Sequence, residues 1–121
     1  NLDMDPDSYD YALTRKHLDL LRRATDADGN PLEIHTVSPP LHPRRSKFLD
    51  GNDDFAAGYI NYFVINGAVI APEFGDPAAD TKARDLLARL YPGHKVVQID
   101  IDAIASGGGG IHCVTNQLPS A

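Results

Sequence analysis

Cys113 is the only cysteine of the chain, and it follows directly on a run of four glycines in Gly107-Gly108-Gly109-Gly110-Ile111-His112-Cys113-Val114-Thr115-Asn116-Gln117. Glycine loses more backbone entropy on ordering than any other residue, so a stable domain keeps such a run only where backbone takes unusual angles or approaches a ligand closely. A thiol in that position is a candidate nucleophile in a site roofed by bare backbone. The amides of Gly109 and Gly110 are candidates to face a substrate or a developing intermediate. The competing reading makes Cys113 a small buried hydrophobe and the glycine run a tight loop with no ligand. Alternation over Ile111–Asn116 predicts a short strand, which would put Cys113 with Ile111 and Thr115 and turn His112 to the opposite face. On that reading His112 is structural and does not serve as the base for its neighbour.

Other chemistry-bearing residues are less organised. His17, His35, His42 and His94 fall on a predicted helix, strand, loop and turn, without the spacing of metal ligands, so no metal site is expected. The acidic group Asp50, Asp53 and Asp54 reads as a solvated loop face. Asp76, just before Pro77, reads as a helix cap.

Composition bounds the rest. The chain has 121 residues, 42% of them hydrophobic and 23% charged, which suits a globular domain with a modest core. Its formal charge of −6 argues against a nucleic-acid partner and agrees with a cationic ligand. No apolar run approaches the length of a membrane span. A single cysteine forms no internal disulfide, which points to a reducing, cytoplasmic setting.

The elements that must position these residues read as follows. Tyr9 to Ala24 forms a helix capped by Asp7 or Ser8, with a stripe of Ala12, Leu13, Leu20, Leu21 and Ala24. Asp28-Gly29-Asn30-Pro31 turns the chain, and Leu32–Val37 alternates as a short strand. Ser38–Asp54 has no periodicity and reads as a long loop. Tyr59–Ile65 and Ala68–Ala71 flank Asn66-Gly67, a hairpin signal of the type I′ kind. A helix opens at Asp76-Pro77, buries Ala83, Leu86, Leu87 and Leu90, and stops at Pro92-Gly93. Lys95–Ile101 is a strand and Asp102–Ala105 a short turn.

The order from Tyr59 to Ile101 is thus strand, strand, helix, strand. Asp19-Leu20-Leu21-Arg22-Arg23 is echoed by Asp85-Leu86-Leu87-Ala88-Arg89 at an offset of 66 residues, which suggests a repeating module. The fold class expected is α/β. Repeat units cannot bury their faces alone, so the chain is expected to be a piece of a larger protein.

Two segments carry a family resemblance. Gly107–Pro119 closely resembles the nucleophile segment of the agmatine deiminase family and of the related bacterial peptidylarginine deiminases, members of the guanidine-modifying pentein superfamily. Gly58-Tyr59-Ile60-Asn61-Tyr62, with Asn66-Gly67 and Pro72-Glu73-Phe74-Gly75-Asp76-Pro77, resembles that family's hairpin segment. The likeness runs in matching order from about Tyr59 to Pro119 and more loosely back to Asp5. Asn116-Gln117 departs from the family's usual two glutamines, and Gly110 stands where many members have asparagine.

The resemblance implies a partial pentein-type α/β propeller. Residues 55–101 would be one complete ββαβ module. Residues 1–50 would end the preceding module, and residues 102–121 would begin the nucleophile-bearing one. With five modules the parent would have roughly 330 residues. It further implies hydrolysis of a guanidino group, agmatine plus water giving N-carbamoylputrescine and ammonia, with Cys113 as covalent nucleophile and no cofactor. Asn61 would hold the substrate or orient the thiol. The acid/base histidine and the guanidinium-binding carboxylates would lie upstream of Asn1, so the chain by itself is expected to be inactive. The partner implied is a small cationic guanidino substrate such as agmatine, without nucleic acid or membrane. Homo-oligomerisation and association with the remaining N-terminal portion stay open. So do two other readings, a peptidylarginine deiminase of the same family and a non-catalytic α/β interaction module.

Overall fold

The structure, a computed structural model, describes residues 1–119. Its centre is a mixed three-stranded sheet. β1 (Phe63–Ile65) pairs antiparallel with β2 (Ala68–Glu73), and β2 pairs parallel with β3 (Lys95–Asp100). The parallel step needs a crossover, which α2 (Pro77–Leu90) supplies. The expected order of strand, strand, helix, strand is the order observed, in an α/β fold. The first strand is shorter than the expected Tyr59–Ile65, because Tyr59 and Ile60 lie in a turn.

The Asn66-Gly67 hairpin is present, since Ile65 pairs with Ala68 across it. Its turn differs from the expected type I′. Gly67 has φ +77° while none of the described non-glycine residues has positive φ, so only the second central residue is left-handed, the pattern of a type II turn.

α2 follows the sequence closely. Asp76 caps it by accepting from the Ala79 amide at 3.1 Å, and Pro77 begins it, where a missing N–H costs nothing. The second Asp76 oxygen accepts from the amides of Leu41 and His42, both at 3.0 Å, so one carboxylate ties the long loop to the helix start. Leu87 and Ala83 are buried as expected, but Leu86 is only half-buried and Leu90 is exposed. Val69 and Ala71 of β2 form one cluster with Leu87, flanked by Tyr62, Val64, Tyr91 and Val96. Ile70 and Phe63 join the other cluster, around Tyr59, Phe74, Ala83, Ile101, Ala105 and Ile111.

The core also holds a polar network. Asp80, on α2, accepts from the Tyr59 hydroxyl at 2.8 Å and from the Phe74 amide at 2.9 Å. Burial, then the hydrogen bond to Asp80 and its charge, push the Tyr59 phenol well above its ordinary pKa. Gln98 donates to the Asp80 carbonyl at 2.9 Å, joining β3 to the same point.

Three further expectations are corrected. α1 (Asp10–Arg23) forms, but it buries none of its residues, and Leu13, Leu20 and Leu21 are 41–52% exposed. Its start is held not by a single cap but by a knot in which Ser8 donates to Asp3 and accepts from the Asp10 amide at 3.2 Å. Leu32–Val37 is not a strand: it alternates correctly but has no pairing partner among the described residues, and only an isolated bridge joins Thr25 to Pro31. The repeat echo therefore does not extend to matching helix–strand units.

The third correction bears on the site. Asp102–Ala105 is a short helix, α3, and Ile111–Asn116 is not a strand. His112–Val114 forms a 3₁₀ turn in which Cys113 N–H donates to the Gly110 carbonyl at 3.1 Å. The Thr115 hydroxyl donates to the Ile111 and His112 carbonyls at 3.0 and 3.2 Å, closing the turn. The alternation argument for His112 and Cys113 therefore does not apply.

Candidate active site

The glycine run comes off α3 and leads the chain into the 3₁₀ turn, exposed at Gly107 and Gly108 and buried at Gly110. Gly108 has φ +78°, which turns the chain at little cost for glycine. Ile111 is 4% exposed and anchors the turn in the core, while His112, Cys113 and Val114 stay at the surface.

The structure brings Cys113, Asn61, Gly109 and Gly110 together. Asn61 Nδ2 donates to Cys113 Sγ at 3.0 Å, and Asn61 Oδ1 accepts from the His112 amide at 2.8 Å. One planar amide thus reads both the thiol and the backbone that carries it, which fixes the sulfur's direction. Asn61 is itself placed by the turn before β1, next to the fully buried Tyr59.

The two glycines make this approach feasible. A Cβ on Gly110 would lie 2.6 Å from Asn61 Cγ and 2.7 Å from Asn61 Cβ. A Cβ on Gly109 would lie 3.5 Å from Cys113 Sγ. Gly109 therefore leaves one flank of the sulfur bare, and Gly110 makes room for the asparagine.

The electrostatics favour the thiolate. The Asn61 hydrogen bond, then the Gly110 backbone, hold the Cys113 thiol below its ordinary pKa. Cys113 is exposed rather than sealed in an apolar core. An exposed sulfur with a fixed donor and a lowered pKa can attack an electrophilic carbon.

The histidines do not complete this set. The His112 ring stacks edge-on against Phe63, with centroids 6.0 Å apart, while Sγ points to Asn61. In a 3₁₀ turn successive side chains diverge by about 120°, so neighbours separate without a strand's alternation. His35 pairs with Glu33 at 2.8 Å, His94 stacks on Tyr91, and no histidine ring among the described residues is hydrogen-bonded to Sγ. Asp50, Asp53 and Asp54 are exposed. No three metal-binding side chains cluster among the described residues, and no described helix is long and apolar enough to cross a membrane.

A cavity of about 420 Å³ opens beside the site, lined in part by Asn61, Gly109, Phe55 and Gly58. Sequence reasoning missed the loop residues that hold this region in place. Arg44 and Asn52 lie in the aperiodic Ser38–Asp54 stretch, and nothing local marks them, because the partners that matter are 29–58 residues away.

Comparison with known proteins shows the family of the chain. The family model for Porphyromonas-type peptidyl-arginine deiminase matches residues 2–119. A Listeria monocytogenes protein with a provisional agmatine deiminase name is 40% identical over 122 residues, covering 90% of this chain and 33% of that protein. The agmatine deiminase of Pseudomonas putida is 35% identical over 129 residues, covering 96% of this chain and 35% of its own length. The solved agmatine deiminase of Enterococcus faecalis superposes with a TM-score of 0.81 at 28% identity, covering 96% of this chain and 35% of that one. The chain spans about a third of the length of the relatives it matches. With the match running from residue 2 to residue 119, this chain belongs to the Porphyromonas-type peptidyl-arginine deiminase family.

Proposed function

We propose that this chain carries the nucleophile of a guanidine-hydrolysing enzyme, with Cys113 as the attacking group and Asn61, Gly109 and Gly110 shaping the substrate side of the site. The observation that carries this reading is the 3.0 Å bond from Asn61 Nδ2 to Sγ, made beside a glycine run that leaves the sulfur accessible. The substrate indicated by the relatives' names is agmatine, and the products are N-carbamoylputrescine and ammonia.

The chemistry follows from the guanidinium's resonance. Its central carbon is a poor electrophile until it is held against a strong, correctly aimed nucleophile. The Cys113 thiolate adds to that carbon and gives a tetrahedral adduct. A proton moves to one terminal nitrogen, which leaves as ammonia, and an amidino-thioether remains on sulfur. Water adds to the same carbon, the C–S bond breaks, and the thiolate returns as the ureido product departs. Asn61 contributes by stabilising the sulfur's negative charge at the start and at the end.

The acid that protonates ammonia, the base that activates water and the carboxylates that grip the guanidinium belong to the part of the protein outside these 121 residues. In this scheme β1, β2, α2 and β3, within residues 55–101, are one complete ββαβ module of a pentein-type propeller. Residues 1–50 close the module before it, and residues 102–121 open the one that carries the nucleophile.

A peptidylarginine substrate is the second reading, favoured by the description of the matching family model. In both, sulfur attacks a guanidinium carbon, so both predict preference for a cationic amidine. The test, made on the whole protein that supplies those carboxylates, compares 2-chloroacetamidine with the neutral 2-chloroacetamide, with peptide mass mapping of the product. Faster modification by the amidine at Cys113 supports the reading. Equal and slow reaction with both reagents contradicts it and leaves the non-catalytic interaction module.

A further inference from the structure

Arg44 sits in the loop between α1 and β1, yet its guanidinium is surrounded by carboxylates from three other elements. Nη2 donates to Glu73 Oε1 at 2.6 Å and to the Glu73 carbonyl at 2.7 Å, at the end of β2. Nη1 lies 3.1 Å from Asp100 Oδ2 at the end of β3, and Nε lies 3.5 Å from Asp102 Oδ2 at the start of α3. The Arg44 amide also donates to the Phe74 carbonyl at 2.7 Å. Gly75, at φ +76°, permits this approach, because a Cβ there would lie 2.8 Å from Arg44 Cβ. Burial opposes the guanidinium's charge, but the Glu73 hydrogen bond and the charges of Glu73, Asp100 and Asp102 outweigh it and raise its pKa.

The same loop then runs along the start of the nucleophile segment. Asn52 Nδ2 donates to the Ser106 carbonyl at 3.1 Å and to the Phe48 carbonyl at 3.0 Å. The Ala56 amide donates to the Ala105 carbonyl at 3.0 Å. A Cβ on Gly108 would meet the Asp54 carbonyl at 3.6 Å. The loop therefore grips residues 102–108 at both ends, immediately before the glycines that touch Asn61 and Sγ.

We propose that Arg44 and Asn52 are positioning residues for the Cys113 thiol, holding residues 102–110 so that Sγ stays aligned with Asn61. The proposal rests on Cys113 being the nucleophile. Four consecutive glycines have little intrinsic preference for one path, so the direction of the thiol must be imposed from outside the run. Catalytic groups tolerate displacements of only about 0.5 Å, which a loosely tethered glycine run would exceed. Arg44 supplies the anchor at α3, where without it Glu73, Asp100 and Asp102 would repel one another. Asn52 supplies the tie at Ser106.

The test reads the pH midpoint of Cys113 alkylation by iodoacetamide in the full 121-residue chain. The variants are Asn52→Ala, Arg44→Lys and Arg44→Ala, the last also with low concentrations of guanidinium ion added. The expected result is a wild-type midpoint below that of an ordinary thiol. Asn52→Ala and Arg44→Ala should raise it by about half a pK unit or more, slowing alkylation below the midpoint about threefold. Added guanidinium should restore Arg44→Ala, and Arg44→Lys should recover only in part, because an ammonium lacks the planar fork. Should Arg44→Ala fail to fold, Asn52→Ala decides the matter. A lowered wild-type midpoint that every folded variant keeps, despite reduced melting temperatures, overturns the positioning role alone. An ordinary midpoint in the unsubstituted chain overturns the nucleophile reading and this proposal with it.

Discussion

Gly110 and Asn61 are packed so closely that no side chain fits between them: a Cβ on Gly110 would stand 2.6 Å from Asn61 Cγ. Gly110 is therefore where the glycine run meets the residue that holds the thiol. Gly110→Ala should push Asn61 away from Sγ. The expected outcome is a loss of about 1–3 kcal/mol of stability from overpacking, with Cys113 alkylation slowed at neutral pH. Chemical denaturation and alkylation kinetics measure the two effects separately. Unchanged alkylation would show that Asn61 does not govern the sulfur.

Asp76 joins two distant segments through three amides, those of Leu41, His42 and Ala79. Asp76→Ala should cost about 2 kcal/mol or somewhat more, since loss of an N-cap alone costs about 0.5–2 kcal/mol. The His42, Ala79 and Leu41 amides hold its carboxyl below the usual carboxylate range. Its contribution is therefore complete above about pH 4, where the unfolded chain ionises, and is lost as pH falls through the lower folded value. Melting temperatures of the wild type and Asp76→Ala across an acid series should converge at low pH. A constant gap would contradict this assignment.

How far this site could be read from sequence depended on whether each signal was local. α2 and its Asp76 cap were legible because cap, proline and apolar period lie within one stretch. The Asn66-Gly67 hairpin was legible as well, although its exact turn type depends on the φ of Asn66. Leu32–Val37 and Ile111–Asn116 both alternate, yet neither is a strand, because a strand needs a partner and pairing is not encoded in one segment. Thr115 closes the second segment into a turn through its hydroxyl instead. The union of Asn61 with Cys113 was expected only in outline, through family resemblance. The clamp at Arg44 was invisible, since its carboxylates come from three separate elements.

Tyr59 is 1% exposed and donates to Asp80. Tyr59→Phe leaves that carboxylate with the Phe74 amide alone in a buried place. The expected cost is about 1–3 kcal/mol, measured by denaturant unfolding. A change near zero would show that the hydroxyl is not needed there.

α1 buries none of its residues. Leu20→Lys and Leu21→Lys should therefore change the stability of this chain by no more than about 0.5 kcal/mol. A loss of several kcal/mol for either would mean that the helix packs on the core in solution.

Cys113 activated by Asn61 is the centre of this account, and the pH dependence of its alkylation tests it most directly. The wild-type chain, Asn61→Ala and Asn61→Asp are compared with iodoacetamide under the same conditions. A hydrogen-bond donor stabilises the thiolate, so the wild-type midpoint should lie below that of an ordinary thiol, and the rate should rise as pH passes through it. Asn61→Ala should move the midpoint upward. Asn61→Asp should move it further, because a carboxylate beside the sulfur repels the thiolate. A single ordinary midpoint shared by all three would contradict the account and leave Cys113 a surface cysteine without a catalytic role.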